Sequence, residues 1–401
     1  MKRISIPVCV CACILTCLLT LTGVVLCFRL MPLLRPSGEE YTAGDKLAEA
    51  AEIIRDNFIG EYEEEALADD AIDAMIASLG DRWSYSMTAD QVAAYMKSSR
   101  NRYGGIGIVL QESEDGITVI LKVYEKSPAG EAGVQPGSRF LRVGEEDVSA
   151  LGMDEVSSLV RNAIEQGQVE LTLMCPDGTE REYSLIPGDV YTEPVNYRVL
   201  DSGLGYVRLE NFEGRSAQGA IDAVENLLAR SVMGIVFDVR ENPGGQLSEL
   251  LKLLDYLLPE GKLFISRDVE GNESVEYSDA SCVELPMVVL INEDSYSAAE
   301  FFAAALREYD WAVLVGAQTS GKGYAQITVP MTDGSAIHIS SIAYFTPNGV
   351  CLAGVGLTPD LSVELGEEER TLLYYSMLAP EDDPQLAAAE RLLLDSSSVS
   401  P

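Results

Sequence analysis

The chain has 401 residues, with 64 acidic against 28 basic side chains and a formal net charge of −36 at neutral pH. That length exceeds one ordinary domain, so two or three are expected, at least one of them with a substantial core. The charge repels phosphate backbones and anionic headgroups alike, which argues against a nucleic-acid partner and reads most simply as a solvated acidic surface.

Residues 1–3 form a basic tip, and residues 4–28 contain no charge. That run is long enough to cross the ~30 Å hydrocarbon core of a bilayer as a transmembrane helix. A cleaved signal peptide is the competing reading. No small-x-small site closes the run, however, and Leu26 before Cys27 is a poor lipoprotein signal, so an uncleaved single-pass anchor is expected. The tip then stays cytoplasmic, although Arg29 and Arg35 weaken the charge asymmetry, and the rest of the chain lies on the outer face of the cell membrane. Five of the eight cysteines fall in the same run, leaving Cys175, Cys282 and Cys351 without C-x-x-C spacing. Neither a disulfide framework nor a metal site is indicated.

Residues 29–44 read as a linker. Residues 45–102 form an N-terminal helical region, with Leu47, Ala51 and Ile54, then Ile72, Met75, Ile76 and Leu79, at helical spacing in two helices joined at Gly60. Residues 103–187 change to short apolar runs broken by turns, one helical stretch and the strand VELTLMC, a compact and mostly β unit. In residues 188–366 buried strands alternate with helices: GIVFDV, QLSELLKLLDYLL, PMVVLI, SAAEFFAAALRE and WAVLVG. This order predicts βαβ crossovers and a largely parallel sheet, an α/β core. YAQITVP and SAIHISSIAYF flank Thr332-Asp333-Gly334 as a hairpin, and residues 367–401 form a C-terminal helical tail.

Function in an α/β sheet concentrates at the carboxyl ends of its strands, where three loops stand out. Arg240-Glu241-Asn242-Pro243-Gly244-Gly245 permits an exposed run of backbone N–H groups able to form an oxyanion hole. Asp294-Ser295-Tyr296-Ser297 opens directly into a helix, which places Ser297 at the positive end of the helix dipole. Thr319-Ser320-Gly321-Lys322-Gly323 holds a lysine between glycines. A serine needs a base, and the single histidine, His338, alternates with isoleucines and reads as structural. A desolvated lysine can serve instead. Taken singly, Ser297 fits an N-cap and Lys322 a solvated loop residue.

The segments GIVFDVRENPGG, PMVVLINEDSYSAAEFFAAAL, VGAQTSGKGYAQ, DGSAIHISSIAYFTPNG and GVGLTPD, in this order, resemble the carboxyl-terminal processing, or tail-specific, serine proteases. The resemblance runs from about residue 45 to 395. It implies a crotonase/ClpP-like protease core and a Ser/Lys dyad: Ser297 as nucleophile from Ser-x-Ser-x-x-Glu, and Lys322, 25 residues later, as base. It also implies Gln326 as the residue orienting that lysine, and an oxyanion hole from Gly244, Gly245 and Ala298. No cofactor is called for. Ala299, Ser320 and Glu241 depart from frequent family residues but remove no catalytic group.

The β unit resembles a PDZ domain, with Gly105, Ile106, Gly107 and Ile108 as the loop that caps a peptide carboxylate, and with Gly137-Ser138 where Gly-Asp is usual. By the same resemblance, protein substrates are selected by their C-terminal tails, tail binding repositions the PDZ domain, and the terminal helices form a homodimer.

Two rival readings compete. Residues 316–322 fit the GxxxxGK half of a phosphate-binding loop, but Gly323 replaces the required Ser/Thr and a strand follows instead of a helix. A catalytically silent PDZ scaffold is the other, against which the intact Ser297, Lys322 and Gln326 argue.

Overall fold

The computed structural model describes Thr16 and residues 19–22, 41–113, 115–375 and 377–396. Most of the expected span at residues 4–28 lies outside them. Among the described residues no helix is long and apolar enough to cross a membrane.

The chain divides after Ala68. In the first unit, helix α1 (Ala43–Asn57) begins at a reciprocal cap: Thr42 Oγ1 accepts from Asp45 N, and the Asp45 carboxylate accepts from Thr42 N. Helix α2 (Glu64–Ala77) starts in this unit and ends in the second. The expected pair of helices joined at Gly60 is therefore present, but residues 45–102 are not one body. Everything from Asp69 onward belongs with the remainder of the chain.

In the second unit come strand β1 (Tyr85–Met87), helix α3 (Ala89–Ser98) and strand β2 (Arg102–Gly105). The PDZ region follows: β3 (Ile108–Glu112), β4 (Thr118–Val123), the single turn α4 (Pro128–Glu131), β5 (Arg139–Val143), β6 (Glu146–Asp147), α5 (Met153–Glu165), β7 (Val169–Met174) and β8 (Glu180–Leu185). Its sheet has the order β3-β4-β5-β7-β8 and encloses its own core around Ile120, Phe140, Val156 and Leu171. Strand β9 (Gly188–Tyr191) pairs with β2, so both chain passages into and out of this domain are bound in one ladder.

Strands β10 (Val195–Val199) and β11 (Gly205–Leu209) open the α/β core. Then follow α6 (Ser216–Ala229), β12 (Ile235–Asp238), α7 (Leu247–Leu257), β13 (Gly261–Arg267), β14 (Glu273–Ser278), β15 (Met287–Ile291), α8 (Ala298–Glu308) and β16 (Ala312–Gly316). The last elements are β17 (Tyr324–Pro330), β18 (Ala336–Phe345), β19 (Leu361–Ser362), α9 (Glu367–Tyr374) and α10 (Pro384–Ser396). The central sheet runs β10-β11-β12-β15-β16-β19, parallel from β11 onward. Every side chain of β11, β12 and β15 is buried, as expected of parallel strands covered on both faces. Helices α6, α7 and α8 pack one face, and α10 packs the other through Leu386, Ala389 and Leu393.

The expected hairpin is β17–β18, and it builds a second sheet, β1-β18-β13-β14, with β17 on β18. Here sequence reasoning missed β1, three residues paired with β18 from Tyr85 opposite His338 to Met87 opposite Ala336.

A buried charge cluster fastens α10 to the end of β12. Arg240, 1% exposed, donates to Asp238 Oδ2 (2.6 Å), Asp383 Oδ2 (2.7 Å) and Gln385 Oε1 (2.8 Å). Tyr206 Oη donates to Asp238 Oδ2 (2.7 Å). Burial alone would raise the Asp238 pKa, but the Arg240 and Arg208 charges outweigh it and hold it down to about 2. Its stabilisation is thus complete above the ordinary carboxylate value of 3.8 and is lost as pH falls toward 2. Replacing Asp383 with Ala strips a partner from a buried guanidinium, and urea unfolding should register a loss of about 3–5 kcal/mol. Wild-type stability in that assay would show that Arg240 finds another partner.

Candidate active site

The three strand-end loops converge. Ser295 Oγ donates to Val239 O (2.7 Å) and accepts from Asn292 N (3.0 Å). The Asn292 side chain bonds both the N–H of Glu241 (3.0 Å) and its carboxylate (2.7 Å). Tyr296 N donates to Asn242 O (3.1 Å), which fastens the serine turn to the glycine loop. Between these ties Ser297 sits at φ +59°, in the left-handed region that costs a non-glycine residue about 1–3 kcal/mol. This sharp turn presents a partly exposed Ser297 directly before α8.

Glu300, in the first turn of α8, is 0% exposed. Its Oε2 accepts from Ser297 N (3.0 Å) and Lys322 N (2.9 Å), and its Oε1 from Gly321 N (2.8 Å) and Thr319 Oγ1 (2.5 Å). One carboxylate therefore joins the serine turn to the lysine loop. Burial raises its pKa while the four donors oppose the rise. Sequence reasoning quoted this glutamate only as part of a motif and gave it no role. The signal was its position three residues after Ser297, the spacing of a reciprocal helix cap.

Lys322 lies in the same cleft, of about 460 Å³, as Ser297, Gly244, Gly245, Ala298, Gln326 and Tyr344. Burial lowers its pKa, and the Asp81 and Glu300 charges pull the other way. Its Nζ lies 4.6 Å from the centre of the Trp83 ring and 5.8 Å from that of Tyr296. The Ser297 hydroxyl is met by Tyr344 Oη (3.3 Å), which also donates to Lys322 O (2.8 Å). His338, expected to be structural, also lines this cleft, its Nδ1 within 2.8 Å of Thr328 Oγ1.

Two of the expected residues make other hydrogen bonds. Gln326 does not reach Lys322: its Nε2 donates to Tyr324 O (2.9 Å) and Ser340 Oγ (3.0 Å). The β17–β18 register shifts here, skipping Ser341 on β18, so that Gln326 lies directly opposite Ser340. The Gly244 N–H is not free for an oxyanion either, because it donates to Asn242 Oδ1 (2.8 Å) in a side-chain turn. Among the described residues the N–H groups of Gly245 and Ala298 keep no acceptor. Gly244 is still required: its φ is +86°, and a Cβ there would lie 2.8 Å from Ala298 N and Ser297 Cβ.

In the PDZ region, Gly105 belongs to β2, opposite Gly188, and Ile108 begins β3. This leaves Ile106 and Gly107 as the loop itself. Their carbonyls accept from Ala129 N (2.9 Å) and Tyr124 N (3.0 Å). A Cβ on Gly107 would fall 2.2 Å from the Ser127 side chain. Strand β3 ends its sheet, paired only with β4, and α5 packs beside it through Val156 and Val160. An edge strand beside a helix can take a peptide as an added strand.

Comparison with known proteins agrees with this anatomy. Residues 203–363 match peptidase family S41, and residues 119–173 match the PDZ domain. The chain is 28% identical over 323 residues to the carboxy-terminal processing protease CtpA of Bacillus subtilis, covering 80% of this chain and 69% of that protein. It is 27% identical to a probable CtpA-like serine protease of Staphylococcus aureus, covering 80% and 64%. It thus spans about two thirds of the length of these relatives. Among solved structures, a photosystem II D1 C-terminal processing protease superposes with a TM-score of 0.51 at 25% identity, covering 86% of this chain and 92% of that one. A putative S41 protease from Bacteroides fragilis superposes at 0.56 and 15% identity, covering 88% and 97%, a likeness of fold.

Fold and sequence together define a serine-type peptidase with a PDZ domain ahead of its core. Within that class the core matches peptidase family S41 over residues 203–363, and the relatives it aligns with are named as carboxy-terminal processing or CtpA-like serine proteases.

The Glu300 junction is directly testable. In Glu300→Gln an amide N–H₂ must face N–H donors, leaving at least one of them unsatisfied at a cost of about 1–3 kcal/mol. Expected are a lower melting temperature and at least a tenfold loss in kcat/KM, a factor that corresponds to about 1.4 kcal/mol. Unchanged kinetics in a folded variant would remove Glu300 from the site.

Proposed function

We propose that the chain is a membrane-anchored endopeptidase on the outer face of the cell membrane that cleaves proteins chosen by their C-terminal tails, with Ser297 as nucleophile and Lys322 as general base. The observation that carries this reading is the Glu300 carboxylate, which accepts from the N–H of both residues and holds their turns side by side in one cleft. In the proposed reaction Ser297 Oγ attacks the scissile carbonyl and Lys322 Nζ takes its proton. The N–H groups of Gly245 and Ala298 receive the oxyanion. Lys322 then returns the proton to the departing amine. Water, deprotonated by the same lysine, hydrolyses the acyl-enzyme. Leu247, Leu250, Phe264 and Phe301 line the cleft beside Ser297 and favour an apolar side chain before the cut.

Ser297→Ala and Lys322→Ala should each reduce cleavage of an unstructured protein with an apolar tail by about 10²–10⁴-fold. Since only the neutral lysine accepts a proton, kcat/KM should rise with pH through an ionisation below the ordinary lysine value of 10.5. Full activity in either variant would reject that residue's role, and a Ser297→Ala protein that kept its biological effect would favour the scaffold.

Tail selection by the PDZ domain is the second part of the proposal, supported by the Gly107 loop and the open edge of β3. Gly107→Val should lower activity on tailed proteins far more than on short peptides. Equal loss on both would count against tail selection. A homodimer through the terminal helices completes the reading, supported by the exposed Ile53, Phe58 and Ile59, and sedimentation of the full chain in detergent decides it.

A further inference from the structure

Resting on Lys322 as the base, we propose that Asp81 and Trp83, in the loop between α2 and β1, are positioning residues for that lysine, which orient its side chain and set the pH at which it becomes competent. The resemblance implied that Gln326 would do this, but Gln326 is held by Tyr324 and Ser340. The groups that do lie against Lys322 Nζ are the Trp83 ring at 4.6 Å and the Tyr296 ring at 5.8 Å, and the two rings touch each other at a 37° tilt with centroids 5.4 Å apart. An indole face attracts the ammonium and not the neutral amine.

The anion supporting that ammonium is itself fixed. Asp81 Oδ1 accepts from Trp83 N (3.1 Å), and its Oδ2 accepts from Ser84 Oγ (2.5 Å). Ser84 Oγ in turn accepts from Ser340 N (3.0 Å). Gln326 donates to Ser340 Oγ, so it touches the residue whose backbone N–H is bonded to Ser84, the partner of Asp81. The loop therefore works as a unit, with the carboxylate holding the backbone of the residue whose ring carries the cation.

Other titratable groups also face the lysine. Glu300, on α8, favours its charged form. His338, on β18, has its pKa lowered by burial and by the lysine's charge. Tyr296 and Tyr344 both have pKa values raised by burial and stay protonated. Of the two carboxylates that act on the lysine, only Asp81 is free of the nucleophile turn. It can therefore set the charge state of the base without altering the position of Ser297.

The test is the pH dependence of kcat/KM for an uncharged peptide, measured on the full chain with Asp81→Asn, Trp83→Leu, Trp83→Phe and Lys322→Ala. Removing the anion or the ring destabilises the ammonium, so the acid limb of the profile should move to lower pH by roughly half a unit to one unit in Asp81→Asn and Trp83→Leu. Trp83→Phe, which keeps a ring, should restore most of the wild-type profile. A loop with a merely structural role would lower the plateau and the melting temperature but leave the limb in place, and that result would overturn the inference. Lys322→Ala separates this from the parent reading. An inactive Lys322→Ala with unshifted limbs rejects only Asp81 and Trp83, whereas an active one rejects the dyad and this inference with it.

Discussion

A single desolvated carboxylate decides whether this fold has a site at all. Glu300 has no exposure, so in the absence of water its oxygens must be satisfied by the protein, and the four donors come from two separate loops. The same helix turn that buries Glu300 in the core also projects Ser297 at a positive φ, so packing of α8 and exposure of the hydroxyl are one event. Thr319 extends the junction by accepting from Leu357 N (2.7 Å), which draws the chain after β18 onto the lysine loop. Apart from that carboxylate, the Tyr344 hydroxyl also bridges the two loops, at Ser297 Oγ and Lys322 O, but it meets no backbone N–H of the serine turn.

The remaining geometry follows from strand order. Because β11, β12, β15 and β16 are parallel neighbours, their carboxyl ends lie along one edge, and the loops at residues 240–245, 292–297 and 317–323 must emerge together. The second sheet then covers that edge. Strand β18 supplies Tyr344 and His338, while β13 supplies Phe264, so a curved wall of β structure faces the loops. Functional loops carried at the carboxyl ends of a rigid parallel sheet are a recurrent arrangement in α/β folds.

What the sequence disclosed depended on how local the information was. The alternating strands and helices between residues 234 and 316 were legible because their burial is a property of short segments, and Ser297 and Lys322 stood out because glycine, serine and helix-start signals surround them. The crossing hydrogen bonds were not legible. The amide of Gln326 goes to Ser340, which lies opposite it where the β17–β18 register skips Ser341, and Gly244 loses its free N–H to a neighbouring side chain. Asp81 and Trp83 carry no motif and lie more than 200 residues before the serine, in a stretch whose helical periodicity drew attention elsewhere. Only the pairing of β1 with β18 brings them to the lysine. Glu300 lay between these cases, present in the quoted motif but silent until its four donors were seen.

The fastening of α10 by Arg240 has a consequence for how the protein comes into being. Residues 383 and 385 are made long after Ser297 and Lys322, yet their side chains complete the hydrogen bonding of an arginine that begins the glycine loop. During synthesis the sheet, Ser297 and Lys322 can all emerge while that guanidinium still lacks two partners. The strand end bearing Gly244 and Gly245 therefore gains its full set of hydrogen bonds only once residues 383 and 385 have been made.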